Sequence, residues 1–251
     1  MAKRSMHVGD IFINNQGCSL SVVDYKNAHK VKVRFSDSNA FEVVTSAGNI
    51  RRGLVKNPYH PVVYGVGFIG VGEHKAKHQR RCNPTYTTWI GMFIRCYREN
   101  VKQADSSYTD CHVSPEWHNF QNFAEWHESQ EYKGLGYHLD KDLLKKGNRV
   151  YSAELCCLIP VELNAMIVNP APSKSGLPVG VNKDKKKGEF RARLSKNGVA
   201  VLLGVFSTVE EARGVYVAAK EDYVKSMANE WRERISYPAY KALINWSALN
   251  D

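Results

Sequence analysis

Apolar and polar positions alternate with a period of two through the first stretch of the chain. Ile11 and Ile13, Val22 and Val23, then Val31, Val33 and Phe35 set against Lys30, Lys32 and Arg34, and finally Phe41 to Val44, read as short strands. Turn-rich segments part them: Asn14-Asn15-Gln16-Gly17, Lys26-Asn27-Ala28 and Ser36-Asp37-Ser38-Asn39. The pattern predicts a small antiparallel β sheet or barrel over residues 1–56. On its third strand the apolar set faces a core, while Lys32 and Arg34 extend a basic stripe on the other face.

The alternation lapses over residues 57–83, where Pro58, Pro61, Gly65, Gly67, Gly70 and Gly72 precede EHKAKHQRR. This composition predicts a glycine-rich, basic linker. The segment G-V-G-F-I-G opens no evident helix and leads into basic residues, so a dinucleotide-binding loop is set aside. A helical period begins near Pro84, with Trp89, Met92, Phe93 and Cys96 on one face. Ser114-Pro115 starts another helix whose inward stripe is Trp117, Phe120 and Ala124, with Phe123 beside it. His112, His118 and His127 lie near these aromatics and read as structural histidines.

A second linker, Asn169 to Gly176, separates this central region (84–168) from a third pattern over residues 177–228. Val179 to Val181 is a short strand, and Phe190, Ala192 and Leu194 alternate with Arg191 and Arg193 on the next. Asn197-Gly198 is a hairpin turn leading into Val199 to Leu203. Ser207 with Glu210 reads as a capping box for a long helix with Ala212, Tyr216, Ala219, Tyr223 and Met227 inward. A tail over residues 229–251 predicts one more helix. The fold class is therefore α+β: a small all-β region, a central part with helices, and a three-stranded sheet backed by one helix.

Charge changes this picture. The formal net charge is +10 and the clusters are spread along the chain: Arg51, Arg52, Arg80 and Arg81 in the first half, Lys185, Lys186, Lys187, Arg191 and Arg193 in the second. Repeated basic clusters favour a polyanionic partner. No apolar run approaches the roughly 18 residues of a membrane span, and the opening MAKRSMHVGDIF lacks a signal peptide's apolar core, so a cytoplasmic protein without a membrane partner is expected. The six cysteines form no C-x-x-C pair, which predicts reduced thiols and no structural zinc.

Candidate chemistry concentrates between Tyr137 and Asn164. His138, Asp140 and Asp142 alternate and, on a strand, share one face. Pro160 suits the start of a helix carrying Asn164. An acidic strand facing a helical amide can hold one hard cation.

The series Trp89, Met92, Arg95-Cys96-Tyr97, Tyr108, Cys111-His112-Val113, Trp117, Phe120, Phe123, Trp126, Leu139-Asp140-Lys141-Asp142, Gly147-Asn148, Tyr151-Ser152, Cys156, Pro160 and Asn164 resembles the HNH-type endonucleases of bacteriophages. The segment from Leu177 to about residue 228 looks like the ethylene-response-factor type of DNA-binding domain, which is also appended to phage homing endonucleases. These resemblances imply a ββα metal finger in which Asp140 and Asn164 hold one Mg2+ or Mn2+. They also imply double-stranded DNA as partner, a monomer or homodimer, and the cytoplasm of an infected bacterial host. The family's general base is a His directly after the acidic ligand, and this chain has Lys141 there. His138 is the nearest titratable candidate for the base. Lys141 suits charge neutralisation, and Asn148 can take the loop-bracing place that Leu155 vacates. The competing class is a DNA-binding protein of nuclease ancestry that no longer cuts.

Overall fold

The chain adopts the α+β class that its patterning predicts. The structure, a computed structural model, describes residues 5–78, 81–104, 108–134, 136–168, 176–184 and 188–248. Two compact units divide it, Met1–Glu125 and Trp126–Asp251.

In the first unit, β1 (Ile11–Ile13), β2 (Ser19–Asn27), β3 (Lys30–Phe35) and β4 (Glu42–Thr45) form an antiparallel meander in chain order. Leu20, Val22, Val31, Val33 and Phe35 are its core, closed by Ala47 and Ile50 of α1 (Ala47–Arg51). Ser46 caps α1, its hydroxyl accepting from the Asn49 N–H at 3.2 Å. On β1 the inward residue is Phe12, because its register partner is the buried Leu20, and Ile11 and Ile13 stay 71% and 70% exposed.

The glycine-rich stretch expected as a linker is docked onto helices. The Phe68 N–H donates to the His118 carbonyl, and the Phe120 N–H donates back to the Phe68 carbonyl, each at 2.9 Å. Gln121 Nε2 donates to the carbonyls of Ile69 and His74 at 3.1 and 3.0 Å. Gly67, Gly70 and Gly72 are close-approach positions: a Cβ on Gly67 would lie 2.8 Å from Phe93 Cζ and 3.1 Å from Trp89 Cη2. A hairpin of β5 (Lys77–His78) and β6 (Arg81–Cys82) leads into α2 (Pro84–Tyr97), capped by Asn83 Oδ1. The predicted face of α2, Trp89, Met92, Phe93 and Cys96, is fully buried, and Trp89 Nε1 donates to the Trp117 carbonyl at 2.7 Å. The short α3 (Glu99–Ala104) and β7 (His112–Val113) follow.

Where one helix was expected after Ser114 there are two, α4 (Pro115–His118) and α5 (Phe120–Ser129). Asn119 interrupts them with extended backbone, bridges to Phe68, and turns its side-chain oxygen to the Gln121 N–H at 3.0 Å. His118 is structural, its Nε2 3.0 Å from the Val113 carbonyl oxygen. His127 is buried, and that burial holds its imidazole below the ordinary range despite Glu128 nearby.

In the second unit, β8 (Tyr137–Asp140) pairs antiparallel with β10 (Cys157–Pro160), and α6 (Val161–Ile167) follows at once. β9 (Val150–Tyr151) lies between them in sequence. A three-stranded sheet follows, β11 (Val181–Lys183), β12 (Phe190–Lys196) and β13 (Val199–Phe206), antiparallel in that order, with α7 (Val209–Glu230) on one face. The capping box of α7 uses Thr208 and Glu211, one residue later than predicted. The tail forms a 3-10 turn, Arg232–Arg234, and α8 (Tyr237–Ile244). Its partner is the β8–β10–α6 region and α7: Leu243 and Ile235 share a core with Leu163 of α6 and with Val224 and Ala228 of α7, while Ala239 packs on Cys157 and Ile159. Tyr137 Oη donates to the Arg234 carbonyl at 2.7 Å.

Gly67→Ala places a methyl against two immobile buried rings and is expected to destabilise the fold by about 1–3 kcal/mol. Urea denaturation monitored by tryptophan fluorescence checks this.

Candidate metal centre and nucleic-acid interface

β8 alternates as its sequence predicts. Leu139 is buried, whereas His138 and Asp140 face the other way. Asp142 does not join them on the strand. The chain turns after Asp140, whose Oδ1 accepts from the backbone N–H groups of Asp142 and Leu143 at 3.0 and 2.7 Å. Burial pushes the Asp140 carboxyl above its usual range, and the negative charge of Asp142 adds to the effect, outweighing those two N–H groups. A bound divalent cation would reverse that balance by favouring the carboxylate.

α6 brings Asn164 to the same face. Pro160 ends β10 and occupies the cap position of α6, so strand and helix join without a loop. Leu163 is driven into the core, and the next residue, Asn164, is thereby aimed elsewhere on the helix. Its Nδ2 lies 3.4 Å from His138 Nδ1. Asn164 Oδ1 is buried and has no hydrogen-bond partner among the described residues. A buried carbonyl oxygen without a donor costs about 1–3 kcal/mol, and an amide oxygen is a donor type suited to a hard cation.

The other two predicted residues of the finger act within its loop. Lys141 is only 6% exposed, and its Nζ is 2.9 Å from Asp142 Oδ2, so the ammonium is turned into the fold. Asn148 is buried as well. Its Nδ2 donates to the Lys141 carbonyl at 2.5 Å and to the Val150 carbonyl at 2.7 Å, and its Oδ1 accepts from the Val150 N–H at 3.0 Å. Asn148 thus ties the loop after Asp140 to the start of β9, while Leu155 carries no such amide.

Asp140 and Asn164 fit a magnesium or manganese ion by donor type, both offering oxygen. Among the described residues no group of three or more His, Cys, Asp and Glu side chains is arranged for a metal. A cation at this centre would therefore take its remaining positions from water and phosphate oxygens, as Mg2+ commonly does.

The predicted DNA contacts fare differently from one another. Lys32 and Arg34 both pair with Glu42, so the stripe on β3 is partly neutralised. Arg51 is exposed, and Arg52 folds back onto its own helix, donating to the Gly48 carbonyl and to Asn49 Oδ1. Arg81 is exposed on β6. Arg80 and the cluster Lys185, Lys186 and Lys187 lie outside the described residues. On β12, Ala192 and Leu194 face α7, which leaves Arg191 and Arg193 on the open face. Arg193 is exposed there beside Leu202, whereas Arg191 pairs with Asp184, a carboxylate partner that the sequence pattern did not single out. No helix among the described residues is long and apolar enough to cross a membrane.

No protein-family model, curated protein or solved structure matches the chain.

Asn148→Ala leaves the buried Lys141 carbonyl without its amide donor. The expected loss is about 1–3 kcal/mol of stability, seen as a lower urea midpoint, with Asn148→Asp failing to restore it because a carboxylate cannot donate.

Proposed function

We propose that the chain is a metal-dependent DNA endonuclease whose catalytic centre is the β8–β10–α6 finger. The single observation that carries this reading is the buried, partnerless Asn164 Oδ1 on the face that also holds Asp140 and His138. Asp140 and Asn164 would hold one Mg2+ or Mn2+. When bound, such an ion stabilises the charge that develops on the scissile phosphate and the leaving oxygen. His138, on the same strand face as Asp140, takes the proton of the attacking water. Asn148 holds the loop that fixes Asp140, and buried Lys141 offsets the charge of Asp142.

Double-stranded DNA is the partner best suited to the open face of β11–β13, where Arg193 stands beside exposed Leu202 and Arg191 opposite exposed Val205. A sheet of this width fits a major groove, with arginine reaching phosphates or guanine edges. The resemblance to phage homing endonucleases supports the same assignment, and with it a role in the cytoplasm of an infected bacterial host. A second reading, a DNA-binding protein that no longer cuts, is favoured by one observation: the residue after Asp140 is a buried lysine rather than an accessible histidine.

Supercoiled plasmid incubated with the protein and Mg2+ or Mn2+ separates the two. Nicked or linear product that chelator abolishes is expected. Asp140→Ala and Asn164→Ala should abolish it, and His138→Ala should slow it by about 10²–10⁴-fold. Retarded but uncut DNA with either metal would favour the silent binder.

A further inference from the structure

The first unit holds a pairing of nucleophile and base that the DNA chemistry does not use. Cys18 Sγ lies 3.4 Å from His60 Nδ1, and both residues are half-buried. Each half of the pair is held by a buried asparagine. Asn14 Oδ1 accepts from the Cys18 N–H at 2.8 Å, and Asn14 Nδ2 is anchored on the Val55 carbonyl at 2.8 Å. On the other side the His60 N–H donates to the Asn57 carbonyl at 3.3 Å. Asn57 is in turn fixed by Gln16, through its own N–H, and by Asp37. The dyad opens on a cavity of about 340 Å3 that Ser36, Asp37, Asn39 and Tyr59 also line. Among the other cysteines, Cys96, Cys111, Cys156 and Cys157 are buried and Cys82 is exposed, and none is in a disulfide.

A thiol beside an imidazole at this distance is the arrangement by which a base activates a sulfur nucleophile. We propose that Cys18 is a reactive thiol, activated by His60, that exchanges with small disulfides entering this cavity. The balance is that of thiol–disulfide exchange. Cys18 Sγ gives its proton to His60 Nδ1 and attacks one sulfur of R–S–S–R. A Cys18–S–S–R bond forms, the R–S–S–R bond breaks, and the departing RS⁻ takes the proton from the imidazolium. No net oxidant is consumed beyond the disulfide itself, and an added thiol reverses the step. Ser36, Asp37 and Asn39 on the lining offer hydrogen-bonding groups to the entering disulfide.

The experiment treats the full-length protein with excess glutathione disulfide, followed by intact-protein and peptide mass spectrometry. Expected is one rapid adduct, mapped to Cys18, formed well before any on exposed Cys82, and removed by dithiothreitol. Cys18→Ser should abolish the rapid adduct and Cys82→Ser leave it unchanged. His60→Gln, checked for folding by circular dichroism, should slow it by about 10-fold or more. Rapid labelling of Cys82 ahead of Cys18 in the wild-type protein would overturn the proposal, as would an undiminished rate in folded His60→Gln.

Discussion

Burial of Leu163 is the constraint on which the candidate centre depends. A seven-residue helix has too few internal hydrogen bonds to hold a side chain in place by itself, so α6 takes its orientation from tertiary packing. Leu163 enters a core built with Val224, Ala228, Ile235 and Leu243, and a buried leucine of this kind carries roughly 2–5 kcal/mol. With Leu163 fixed, the helical geometry directs Asn164 away from that core, where its amide meets His138. The same core ties the finger to the helix that backs the three-stranded sheet. The pieces of the second unit are thus energetically one object: Ala239 seals Cys157 and Ile159 on β10, and Tyr137 is bonded to the tail through the Arg234 carbonyl.

Electrostatics then decides which charges are presented and which are absorbed. Burial and the nearness of Asp142 make the Asp140 carboxylate unfavourable, a state that a cation relieves. Lys141 meets only part of that demand, because its ammonium is committed to Asp142. The basic surface shows the same economy. Glu42 takes up Lys32 and Arg34, and Asp184 takes up Arg191, so these arginines and this lysine are organised by local carboxylates. Arg193, Arg81 and Arg51 stand in more exposed positions.

Much of the architecture was legible because periodicity and burial agree. The face Trp89, Met92, Phe93 and Cys96, the alternation along β3 and β12, and the Asn197-Gly198 turn all came directly from pattern. Features set by contacts distant in sequence were not legible. Nothing local to residues 67–72 says that Gly67, Gly70 and Gly72 accommodate Phe93, Trp89, Asn119 and Gln121. The break at Asn119 has the same origin, since it bridges to Phe68. Ile11 and Ile13 look like core residues until the register with Leu20 turns Phe12 inward. In the finger, spacing brought out Asp140, Asn164 and Asn148. The inward turn of Lys141 and the pairing of Arg191 with Asp184 depend on side-chain geometry that spacing does not encode.

The central claim is that Asp140 and Asn164 together hold one hard divalent cation, and it can be tested without DNA. Mn2+ titrated into the metal-free protein and followed by electron paramagnetic resonance should show one bound ion per chain that Mg2+ displaces. That signal should be lost in both Asp140→Ala and Asn164→Ala, while Lys141→Met keeps it. Stoichiometric Mn2+ binding that survives in folded Asn164→Ala, or no binding in the wild-type protein, would contradict the account.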